Sequence, residues 1–74
     1  MAKKSSLIKD TKYISFRREL YIRLNGSEKT GVDPLYVYYD VPKEVVSEFK
    51  KSDSLGRFFI NKIKDDYNFQ LIDI

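Results

Sequence analysis

The sequence predicts an α+β domain, a three- to four-stranded antiparallel sheet followed by two helices packed on one face (βββαα-like). Three observations predict it. Apolar residues alternate with period two through residues 14–24 and 35–39, as strands with one buried face require. After Pro42 the spacing lengthens to three and four, the spacing of helices. Strands also precede helices instead of alternating with them, an order that builds an antiparallel sheet with helices on one side.

The 74 residues make one domain, 1–74, with residues 1–10 expected as a frayed tail and the core over about 13–72. Met1-Ala2-Lys3-Lys4 is basic but has no apolar stretch behind it, which argues against a signal peptide. Ile14 and Phe16 belong to the first strand, and Leu20, Ile22 and Leu24 to the second. Arg17-Arg18-Glu19 interrupts them without changing the parity. It is either a tight turn or a bend in one long strand, and the turn is preferred although the usual Gly or Asn is missing. Residues 25–34, with Gly26, Gly31 and Pro34, form a loop that is long for a hairpin. A third strand follows, with Leu35, Val37 and Tyr39 on one face and Tyr36 and Tyr38 on the other.

Pro42 suits the first position of a helix, where its missing N–H costs nothing. Val45, Val46 and Phe49 form the apolar stripe of that helix, which ends near Ser52-Asp53. Ser54 is a good N-cap for a second helix from Leu55 to about Tyr67. Leu55, Phe59 and Ile63 recur every four residues on it, flanked by Gly56 and Ile60, and Gly56 permits close backbone approach. Residues 69–74 are apolar enough for a short extra strand, or for a loosely packed tail.

Composition narrows the chemistry. There is no cysteine and no histidine, which removes disulfides, thiol catalysis, zinc ribbons and imidazole base chemistry. Paired acids such as Asp65-Asp66 with Asp53 or Glu48 have no spacing that demands a metal, so neither metal nor cofactor is expected, and no enzyme activity. A chain of this size buries only ~60% of its unfolded surface, so six tyrosines and five phenylalanines must supply much of the core. No apolar run approaches the ~20 residues of a membrane span, and the cysteine-free composition suggests the cytoplasm. The net charge is +3, divided unevenly: residues 1–37 carry eight Lys/Arg against four acids, residues 38–74 six against seven.

Two motifs carry a resemblance. Tyr36-Val37-Tyr38-Tyr39-Asp40-Val41-Pro42 resembles the central Tyr-x-Tyr-x-x-Val-Pro motif of the KTSC domain family, also found at the C-terminus of some lysyl-tRNA synthetases. Ser54-x-Gly56-x-Phe58-Phe59, with Ile63 and Tyr67, resembles the family's second motif. Ser52 stands where a small apolar residue is usual, and the 25–34 loop is longer than usual. The resemblance implies a small βββαα-type domain, and an RNA-binding role suggested by the attachment to a tRNA synthetase.

A nucleic-acid surface is therefore expected on the sheet face away from the helices. Tyr21, Tyr36 and Tyr38 would stack on unpaired bases, with Arg17, Arg18, Arg23 and Lys29 for phosphates. The opposite parity of the third strand would bury Tyr36 and Tyr38, and tyrosines are in any case good strand formers. The alternative is a module for a protein partner or a second copy, using an exposed sheet face or edge. Ser54 and Gly56 at a helix start are explained by capping and packing.

Overall fold

The computed structural model describes residues 7–26 and 33–73. Its elements are β1 (Ile8–Ile14), β2 (Glu19–Leu24), β3 (Leu35–Tyr38), α1 (Lys43–Lys51), α2 (Leu55–Phe58) and β4 (Phe69–Asp73). α2 runs directly into a π-helical turn, Phe59–Ile63. The strands form one sheet in the order β1-β2-β3-β4, all neighbours antiparallel. The extra strand after the helices is thus formed, on the edge beside β3.

The first strand begins earlier than expected. Residues 8–10, assigned to a frayed tail, are strand, and Ile8 is buried. The pairing shifts between Ile8 and Asp10, so that Ile8 opposes Leu24 and Asp10 opposes Arg23. That bulge at Lys9 explains why the alternation was invisible. The residues on one face, Ile8, Thr11 and Tyr13, are not evenly spaced by two.

The turn that follows is Ser15–Arg18, and Glu19 already pairs with Ile14. Two successive i→i+3 bonds close it, from Arg17 N–H to the Ile14 carbonyl and from Arg18 N–H to the Ser15 carbonyl, each 3.2 Å. Arg18 takes the left-handed conformation, φ 55°, that Gly or Asn usually supplies. Phe16 leaves the strand altogether and stands 85% exposed at the tip.

Pro42 is the N-cap of α1 rather than its first residue, with its carbonyl accepting from Val45 and Val46 N–H. Ser54 caps α2 as its sequence position suggests: its Oγ accepts Arg57 N–H at 3.3 Å. The second helix stops at Ile63 instead of Tyr67. Lys64 N–H bonds to the Phe59 carbonyl in an i→i+5 closure, and a turn follows. Asp65 and Asp66 would place negative charge at the negative end of a longer helix, which favours the early stop.

Both helices pack on one face of the sheet. Val46 and Phe49 from α1, with Phe59 and Ile63, close over Ile8, Leu20, Ile22 and Tyr38, and Val41 completes the cluster. Gly56 is buried, which lets α2 pack closely. At about 25 cal/mol per Å² of apolar surface removed from water, this one cluster is the main favourable term of so short a chain.

Candidate nucleic-acid interface

The register decides which tyrosines face solvent. Directly opposed residues of an antiparallel pair point the same way. Leu20 opposes Tyr38 and Ile22 opposes Tyr36, so both tyrosines stand on the helix side with the buried leucine and isoleucine. Tyr38 is 2% exposed, edge-on to Phe59 at 5.5 Å and stacked on Phe69 at 5.3 Å. Burial pushes its phenol up to about 12, with the neighbouring Tyr36 and Asp65 adding to the rise. Tyr36 is half-buried, packed against the core and edge-on to Phe69 at 5.7 Å. The stacking platform expected from Tyr36 and Tyr38 is therefore absent. A shift of one residue in β3 exchanges its faces, and apolar side chains on both parities left the sequence unable to choose.

The same register turns Tyr21 and Tyr39 outward. Across this face Lys12 opposes Tyr21, Tyr21 opposes Val37, and Val37 opposes Gln70. No described helix covers it, yet Val37 is only 2% exposed and lies outside the helix-side cluster. Its cover comes from its own neighbours. The Tyr39 hydroxyl hydrogen-bonds Gln70 Oε1 at 2.9 Å, so its ring leans across toward β4. Tyr21 donates to Glu19 Oε1 at 3.1 Å, and this bond to a carboxylate raises its phenol above the ordinary value. Both rings are half-buried by what lies beneath them.

Basic side chains surround the pair. Arg17 Nε lies 3.5 Å from Glu19 Oε2, continuing the Tyr21–Glu19 contact toward the hairpin tip. Arg23 Nη1 donates to the Asp33 carbonyl at 2.7 Å. Lys12 has no ion-pair partner among the described residues. Asp33 also binds Lys9 and accepts Gly26 N–H at 2.9 Å, and these contacts hold its carboxyl below the usual value. Lys12, Tyr21 and Arg23, with Asp10 and Leu35, line a shallow cleft of about 210 Å³.

Of the expected site residues, the structure brings together Tyr21, Arg17 and Arg23. Arg18 lies beyond them at the hairpin turn, with its side chain exposed. Lys29 lies outside the described residues. Tyr39 and Lys12, which share the outer face, and the exposed Phe16 were not among the expected residues. Pairing Leu20 with Tyr38 at the outset would have found Tyr39. The four polar or basic neighbours of Phe16 (Ser15, Arg17, Arg18, Glu19) were the signal for a turn there.

The motif residues do structural work. Val41 is fully buried; its N–H donates to the Arg18 carbonyl at 3.0 Å and its carbonyl accepts the Tyr13 hydroxyl at 2.6 Å. Pro42 and Ser54 start helices, Gly56 allows packing, Phe59 and Ile63 are core, and Tyr67 packs against it. Among the described residues no group of three or more acids is placed to hold a metal, and no helix is long and apolar enough to cross a membrane.

A family model described as the KTSC domain matches residues 4–67. The chain is also similar to the crystal structure of a KTSC domain protein from Yersinia pestis, with 32% sequence identity. The alignment covers 93% of this chain and 89% of that one, with a TM-score of 0.79. No curated protein matches.

Proposed function

The chain belongs to the KTSC domain family, and from that premise we propose that it is a non-catalytic module that binds unpaired nucleic acid, RNA above all, on its outer sheet face. The observation that carries the reading is the pair of outward tyrosines. Tyr21 and Tyr39 lie around buried Val37, with Lys12, Arg17 and Arg23 beside them. Rings lying on a sheet offer flat faces to unstacked bases, at ~1–3 kcal/mol per base. Glu19 and Asp10 offset two of the three cations, so stacking supplies more of the affinity than charge. The absence of cysteine and histidine supports a binding role over a catalytic one and a cytoplasmic setting.

Fluorescence anisotropy against single-stranded RNA, single-stranded DNA and tRNA, at low and raised salt, tests the reading. Saturable binding to single strands that weakens with salt is expected, because neutralised phosphates release counterions. A flat titration at low salt defeats it.

A second reading has its own observation. Phe69, Leu71 and Ile72 of the edge strand β4 are each two-fifths or more exposed. An apolar edge favours pairing with another chain. Light scattering over a range of concentration separates the two: a monomer throughout removes the self-pairing form of this reading.

A further inference from the structure

The hairpin tip combines two locally unfavourable choices. Phe16 is the most exposed large apolar side chain among the described residues, at 85%. Two residues on, Arg18 occupies a left-handed conformation that costs a residue with a Cβ about 1–2 kcal/mol. The tip is nevertheless firmly anchored. Val41 N–H holds the Arg18 carbonyl at 3.0 Å, and the Tyr13 hydroxyl holds the Val41 carbonyl at 2.6 Å. Val41 is itself fully buried. Between this tip and the start of α1 lies a cleft of about 340 Å³, lined by Tyr13, Ser15, Phe16, Arg18, Lys43 and Glu44. Arg18 and Lys43 are exposed and have no ion-pair partner among the described residues.

We propose that this cleft is a second binding site, distinct from the sheet face, for one unstacked nucleotide, with its base against Phe16 and its phosphate between Arg18 and Lys43. The inference rests on the nucleic-acid reading above and extends it. The volume falls within the ~300–1,000 Å³ of small-ligand sites. Two cations face one carboxylate, Glu44, leaving charge for a single phosphate. An exposed ring on an anchored turn costs little backbone entropy on stacking, and phenylalanine has only two side-chain torsions to fix. A bilayer is the less favoured occupant, because one aromatic side chain buries little surface and the cations line a recess. The outer sheet face extends toward the tip through Tyr21, Glu19 and Arg17, while the cleft, with Tyr13 and α1 in its wall, opens on the helix side.

The test is an NMR titration of the isotopically labelled chain with uridine 5′-monophosphate, paired with anisotropy titrations of a fluorescent oligouridine. Amide shifts concentrated at residues 15–18, 43 and 44 are expected. Phe16→Ala should weaken oligouridine binding by at least about fivefold and leave the melting temperature unchanged, because so exposed a ring contributes little to the core. Arg18→Gly should also weaken binding while holding or raising the melting temperature, an outcome that a merely structural role does not produce. Shifts confined to Lys12, Tyr21, Val37 and Tyr39, with Phe16→Ala binding normally, would overturn this site and leave the sheet-face reading standing. No binding of oligouridine by the unaltered chain overturns both. Phe16-dependent binding to phosphatidylserine vesicles, without nucleotide shifts at the tip, assigns the tip to a membrane surface instead and overturns the proposal.

Discussion

At Tyr38 the fold makes a measurable statement about pH. The phenol's ordinary value is 10.0, and burial lifts it to about 12 in the folded chain. Below 10 both folded and unfolded chains keep the proton, and the contribution to stability is complete. Between 10 and 12 the unfolded chain releases it more readily than the folded one, so stability falls as pH rises through this window, by at most about 2–3 kcal/mol. Urea denaturation at about pH 9 and about pH 12 should show that fall, and Tyr38→Phe should make it smaller. At Arg18 the backbone carries left-handed strain of its own. Glycine relieves roughly 1 kcal/mol of left-handed strain but gains some unfolded-state entropy. Arg18→Gly should therefore be neutral or up to about 1 kcal/mol more stable. Arg18→Val should be clearly less stable, since a β-branched residue resists positive φ.

Within the elements, the N-cap of α2 is the simplest to test. Ser54→Ala loses the bond to Arg57 N–H and should cost about 1 kcal/mol by thermal or urea melts. The cap was legible because serine before an apolar four-residue repeat has a single local meaning. The order of strands and helices was legible for the same reason, as were the inward Leu20 and Ile22. What escaped was whatever depends on pairing between elements. The bulge at Lys9 breaks the alternation of β1, so a strand looked like a tail. β3 carries Leu35, Val37 and Tyr39 on one parity and Tyr36 and Tyr38 on the other. Only its register against β2 decides which set meets the helices. The candidate site inherited that error, keeping Tyr21, Arg17 and Arg23 while exchanging Tyr36 and Tyr38 for Tyr39. The family motifs gave no warning, since their residues build the core and its junctions.

Over the whole molecule the two edges of the sheet differ. β1 presents Lys9, Asp10 and Lys12 to solvent, a charged edge that discourages pairing. β4 presents Phe69, Leu71 and Ile72. If the chain self-associates at high concentration, Leu71→Lys should abolish the association in light scattering, whereas Lys12→Glu should not. The two broad faces differ as well. One is closed by helices around Phe49, Leu20 and Ile22; the other carries half-buried tyrosines among cations. That open face is where a partner is proposed to bind. The most direct measurement is the affinity of a fluorescent single-stranded RNA for the unaltered chain and for Tyr39→Leu, each confirmed as folded by circular dichroism. Saturable binding at low salt is expected, with Tyr39→Leu weakening it by at least about fivefold. Unchanged affinity in Tyr39→Leu, or no saturable binding by the unaltered chain, rules out the outer sheet face as the nucleic-acid surface.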